Sequence, residues 1–309
     1  MSDRPLRLAV VGPTASGKSS LALAIARAHS SPASPVEIVS VDSMQVYRGM
    51  DIGTASPTAT ERAEVRHHLV DLVEVDTEFT VAMFQRALAD ALADIGGRGG
   101  RAVLVGGTGL YHRAAVDGLE LAGRWPEIRE RLEGEITATG PRALHDRLVE
   151  LDPAAAERIE PDNARRIIRA LEVTLGSGRP FSSFGPGLDT YGESEVLQIG
   201  LRWDRARLAE RIAARVHQMM SSGLLDEVAA VLARHPSRTA RQALGYRELI
   251  DHLEGRCGLD EAVEATIRRT RQFAVRQDRW FRRDPRVRWV DVEHDPVAEA
   301  LPVVAGVWA

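Results

Sequence analysis

The chain contains one lysine, Lys18, and its other 39 Lys+Arg residues are arginines. Lys18 lies in Gly12-Pro13-Thr14-Ala15-Ser16-Gly17-Lys18-Ser19, which matches the pattern G-x-x-x-x-G-K-[ST]. In that pattern the loop amides cradle a di- or triphosphate and the ammonium serves as a compact point charge. The hydroxyl of Ser19 is placed to hold a metal ion that bridges phosphate oxygens, and Mg²⁺ is the expected ion. A second cluster, Asp42, Ser43, Gln45 and Tyr47, follows directly on the apolar run ending at Val41. A lone aspartate at such a position is more often a cap or a metal-shell residue than a base. The surrounding polar groups lift it to a candidate general base in a site that reads a polar ring. A third segment, Val105-Gly106-Gly107-Thr108-Gly109-Leu110-Tyr111, offers glycines for close backbone approach and Thr108 as a small donor and acceptor.

These groups need elements that bring them to one edge. Leu6–Val11 reads as a buried strand and Ser20–Ala28 as a helix, so the phosphate loop sits between strand and helix, where the helix N-terminus adds its partial positive charge. Val36–Val41 and Arg101–Val105 read as parallel core strands, and His68–Val75, Val196–Trp203 and Val287–Val292 as further strands. The pattern predicts an α/β fold, a P-loop-type parallel sheet flanked by helices, in which ligands gather at the carboxyl ends of the strands. Pro126–Gly134, Pro141–Leu151 and Pro153–Leu175 have helical spacing with no strand between them. They predict a helical insertion over 121–194 within a core of 1–120 and 195–309, with a glycine-rich loop at 185–192. Two long helices are expected over Arg205–Ser222 and Asp260–Arg282, the latter with Val263, Ile267, Ala274 and Phe281 inward.

A single cysteine, Cys257, excludes a disulfide framework and a multi-cysteine zinc site. With no apolar run of membrane-spanning length and no signal-like N-terminus, a cytoplasmic location without membrane attachment is expected. The net charge of −4 hides an asymmetry. From Ala265 to Val290 nine arginines face two aspartates, a local charge of +7. Composition leaves open whether that stripe is a polyanion footprint or a solvated helix face.

The motifs together resemble those of the bacterial tRNA dimethylallyltransferases. The resemblance runs through Gly12–Ser19, the block Asp42–Ala55, His67–Asp71, Val105–Tyr111, Arg165–Val173, the helix with Arg211 and Arg215, and Leu244–Arg247. It implies transfer of a dimethylallyl group from dimethylallyl diphosphate to N6 of the adenine 3′-adjacent to the tRNA anticodon (tRNA position 37), giving N6-isopentenyladenosine and pyrophosphate. By the same resemblance Lys18, Ser19 and Arg215 act on the diphosphate and Asp42 on the amine of an extruded base. Asp42, Ser43, Met44, Gln45, Thr108 and Arg129 fall at tRNA- or base-contacting positions. Arg165, Arg166, Ile167, Ile168 and Arg169, with Gln242, Ala243, Leu244, Gly245, Tyr246 and Arg247, fall at positions that hold the anticodon stem-loop. A monomer with no obligate protein partner is usual for the family. Ser19 departs from the usual threonine, either hydroxyl serving a metal, and the segment before Arg129 is shorter than typical. Two other readings use the same loop: a small-molecule kinase with Asp42 as base on a hydroxyl, and a nucleotide-gated RNA-binding protein without turnover. ATP hydrolysis, prenyl transfer and RNA retention without turnover separate the three.

Overall fold

A computed structural model describes residues 7–119, 122–185, 187, 188 and 190–308. Leu6, the expected start of the first strand, lies outside the described residues, as do Glu120 and Leu121 near the expected start of the insertion and Pro186 and Asp189 in the expected glycine-rich loop. The chain divides into two compact units, 1–117 with 192–309, and 118–191.

The first unit is built on six parallel strands: β1 Arg7–Val11, β2 Val36–Ser40, β3 His67–His68, β4 Arg101–Val105, β5 Val196–Trp203 and β6 Val287–Val292. Their order across the sheet is β3-β2-β4-β1-β5-β6. β1 is central because Leu8, Ala9, Val10 and Val11 present apolar groups to both faces, as an interior parallel strand requires. Val10 stands opposite Val105 of β4, and Val105 opposite Ser40 of β2. The three turns that carry the polar motifs therefore leave the sheet at one level. Helix Lys18–His29 packs Leu21, Ala22 and Ile25 into the core with Trp308 of the last helix, Pro296–Trp308.

The strand expected over His68–Val75 stops at His68. Leu69 (φ 61°) and Asp71 (φ 55°) adopt left-handed conformations that no strand accommodates. The chain instead runs alongside the Asp42–Tyr47 segment, where Asp71 N donates to Gln45 O and Val73 N to Val46 O, each at 3.0 Å. The second long helix runs Leu259–Phe281, and its buried residues include Ala262, Thr266, Ile267, Ala274, Gln277 and Phe281, while Val263 is half-buried.

In the 118–191 unit, helices Pro126–Thr139, Pro141–Leu151, Pro153–Arg158 and Ala164–Ser177 enclose Leu132, Leu144, Leu148, Ile167 and Leu171. The helix expected over Pro153–Leu175 is thus two. Pro161 cannot supply the backbone donor that a continuous helix would need, and the Asn163 side chain restarts the second helix by accepting from Arg166 N. In the first unit, Arg286 donates both to the Asp117 carboxylate at 2.6 Å and to Gly192 O at 2.9 Å, tying together the two places where the chain leaves and re-enters that unit.

Candidate active site

The loop 12–19 is shaped to present N–H groups inward. Gly17 takes φ 91° at the start of its helix, and a Cβ there would lie 2.3 Å from Pro296. Ala15 also adopts positive φ, at 62°, and alternating backbone handedness of this kind forms an anion nest. The loop carbonyls are held outward by side chains from β5 and helix Arg205–Ser221: Trp203 Nε1 donates to Ser16 O at 3.0 Å and Arg211 Nε to Ala15 O at 2.9 Å. The Arg211 guanidinium stacks 4.2 Å from the Trp203 ring, which fixes both donors. Ser16 Oγ is buried without a hydrogen-bond partner, and Ser19 is exposed at the loop mouth.

Lys18 folds back on this loop, donating to Pro13 O at 2.7 Å. Its stem keeps some exposure, but its ammonium is enclosed, and burial lowers its pKa to about 7. Arg215 lowers it further and Asp42 opposes both effects. Burial likewise lowers the pKa of the Arg215 guanidinium, again opposed by Asp42. Lys18, Arg215 and Asp42 thus act on one another electrostatically and share one site.

Asp42 continues β2 through Val41. Its Oδ1 accepts from Met44 N at 2.8 Å, and its second oxygen has no hydrogen-bond partner among the described residues. Thr108 Oγ1 accepts from Ser43 N at 3.3 Å, joining the β2 and β4 turns. Gln45 is half-buried: it accepts from Ser40 Oγ at 2.7 Å and donates to Thr54 O and Ala55 O, so its amide shapes the loop. Beside this turn lies a cleft of about 1070 Å³, walled by Asp51, Ile52 and Arg62 on one side and by Arg215, Gln218 and Met219 on the other.

The stem-loop candidates separate by exposure. Gln242 and Arg247 are exposed and, with Arg241 and Arg256, line a small pocket of about 190 Å³. Leu244 is half-buried, whereas Ala243, Gly245 and Tyr246 are buried. Tyr246 acts from inside: its hydroxyl donates to Glu227 Oε1 at 2.5 Å. Glu227 in turn accepts from the backbone amides of Asp51, Ile52 and Gly53. Burial, reinforced by Glu227, keeps the Tyr246 phenol well above its usual pKa, so it remains a donor.

In the helical unit Arg165 and Arg166 are exposed, and Ile167 and Ile168 belong to the core. Arg129 and Arg169 lie 3.3 and 3.1 Å from the carboxylate of Glu172, which is 1% exposed. Glu172 also accepts from Trp125 N at 3.0 Å.

Several of these supporting residues lie outside the motif-based candidates. Glu227 carried no signal in the sequence. Gln277 did: it is a polar residue on the inward face of its helix, between Ala274 and Phe281. The basic stripe is also less uniform than its composition. Arg269 pairs with the buried Glu248, and Arg286 with Asp284 and Asp117, while Arg268, Arg276, Arg279 and Arg288 are exposed.

Residues 45–284 match the IPP transferase family. The chain belongs to that family. It is 49% identical to the tRNA dimethylallyltransferase of Kineococcus radiotolerans over 96% of this chain and 97% of that one. It is also 49% identical to the tRNA dimethylallyltransferase of Streptomyces coelicolor, over 93% and 90%. Among solved IPP transferase structures, the full-length tRNA isopentenylpyrophosphate transferase of Bacillus halodurans superposes with a TM-score of 0.68 at 38% identity, covering 97% of this chain and 96% of that one. A eukaryotic dimethylallyltransferase shares the fold at 24% identity, with a TM-score of 0.76. The α/β sheet expected from the sequence is the fold of these IPP transferases. Among the described residues no helix is long and apolar enough to cross a membrane.

Proposed function

We propose that this chain transfers the dimethylallyl group of dimethylallyl diphosphate to N6 of adenine 37 of tRNA, releasing pyrophosphate. The observation that carries the reading is the electrostatic convergence of Lys18, Arg215 and Asp42 at the mouth of the phosphate loop. Two cations face a group that gains negative charge as the C–O bond breaks, and one carboxylate faces the incoming amine. Asp42, with one oxygen held by Met44 N, directs the other at the exocyclic N–H and accepts its proton as the new C–N bond forms. The adenine must leave its stack to reach a carboxylate at the end of an interior strand. Thr108 and Ser43 fix the turn against which it would settle.

Magnesium fits this arrangement as an ion shared between the loop and the substrate. No group of three acidic, histidine or cysteine side chains among the described residues could hold a metal alone. Ser19 at the loop mouth would supply one oxygen, the diphosphate others and water the rest, in the manner Mg²⁺ prefers. When bound, the ion neutralises part of the diphosphate charge. The exposed Arg165 and Arg166, and Arg247 on the first unit, would contact the phosphates of the anticodon stem-loop. The reading places the chain in the cytoplasm with its RNA substrate.

The test is incubation with labelled dimethylallyl diphosphate, Mg²⁺ and an unmodified tRNA bearing adenine 3′ of its anticodon. Label in the RNA is the expected result. No transfer, together with ATP turnover on a small acceptor, returns the chain to the kinases.

A further inference from the structure

Gln277 is 6% exposed and lies beneath the site on helix Leu259–Phe281. Its Oε1 accepts from Thr14 N at 2.8 Å and its Nε2 donates to Gly107 O at 2.8 Å. One amide therefore joins the leaving-group loop to the β4 turn. A Cβ at residue 107 would lie 2.2 Å from Nε2, so only glycine lets the amide in. The next residue, Thr108, accepts from Ser43 N, adjacent to Asp42. The resulting path, Thr14–Gln277–Gly107–Thr108–Ser43, runs from the diphosphate cradle to the general base.

From this path we propose that Gln277 is a positioning residue that sets the spacing between the diphosphate loop and Asp42. The inference rests on the functional reading above. The chemistry of the side chain suits the task. The site asks for one acceptor and one donor on a single planar group, which neither an arginine nor a carboxylate supplies. Neutrality matters as well, because an anion here would lie beside the diphosphate. The helix beneath is itself fixed, since Ala274 packs with Ala15, Leu208 and Ile212. Thr14 N is engaged by Gln277, so the anion cradle consists of the amides that follow it in the loop.

The test compares wild type with Gln277→Met, which keeps length without polarity, and Gln277→Glu, which sets an acceptor against Gly107 O. Turnover at saturating substrates is measured beside the separate affinities for pyrophosphate and for unmodified tRNA, and the melting temperature. Misplacing a reacting group by about 1 Å costs on the order of 100-fold in rate. The expected result is a fall in kcat of about that size in Gln277→Met and a larger fall in Gln277→Glu, with both affinities little changed. Wild-type kcat in both variants overturns the proposal. So does a loss that follows the affinities or the melting temperature, or failure of both variants to fold, since each would make Gln277 a plain core residue. A wild-type chain that transfers no label removes the functional reading, and this inference with it.

Discussion

The phosphate loop and the helical unit hold their cations differently. Around the loop, the neighbouring side chains bond to backbone: Trp203 and Arg211 take loop carbonyls, and Gln277 takes Thr14 N. The geometry is fixed, and the one lysine is left enclosed with its charge weakened. In the helical unit, Arg129 and Arg169 are instead balanced by a buried carboxylate, Glu172, and keep partial exposure. The first arrangement suits a reaction that tolerates little displacement. The second leaves part of each guanidinium open at the surface, and under the proposed function that surface would meet RNA phosphates. Catalysis and attachment should therefore fail separately.

The sharpest way to break that comparison is Asp42→Ala. Turnover should fall by about 10²–10⁴-fold, as for loss of a general base, while tRNA binding in a filter or anisotropy assay stays close to wild type. Full activity would remove Asp42 from its role. Glu172→Gln comes next. Losing a charged hydrogen-bond acceptor for Trp125 N and two half-exposed arginines should lower unfolding stability by about 2 kcal/mol, read by urea denaturation, with kcat at saturating tRNA unchanged.

The weakened charge on Lys18 gives a third prediction. Its value without ligand is about 7, and a bound diphosphate favours the protonated form, so binding takes up a proton where the unliganded amine is neutral. Affinity for pyrophosphate should then be greatest below pH 7 and fall as pH rises above it, by up to about tenfold per unit from this group. Calorimetry in buffers of different ionisation enthalpy measures the uptake, and the Lys18 component should vanish in Lys18→Met. The smallest effect is expected at the rim. Arg165→Ala or Arg166→Ala should each reduce the salt slope of tRNA binding by about one and leave kcat alone.

The motif-bearing turns were legible in the sequence because glycines and a polar cluster interrupt apolar strands at each. The sheet followed from runs such as Leu8–Val11, short, apolar throughout and ended by a glycine loop, as a strand buried on both faces requires. The stretch after His68 misled, since its apolar residues read as a strand and nothing local announces positive φ at Leu69 and Asp71. Tyr246 was legible as part of a motif but not as a buried residue, because its partner Glu227 lies 19 positions away and is joined to it only by folding. Braces of this kind are long-range by nature. Thr14 and Gln277 are 263 residues apart, and no window on the sequence contains both.

The enclosure of Lys18 also gives the chain a chemical handle. Because this is the only lysine, its ε-amine has no competitor of its own kind, and a value near 7 leaves much of it unprotonated and nucleophilic at neutral pH. An acylating probe would thus find one side-chain amine, in the phosphate loop, and pyrophosphate seated there would shield it.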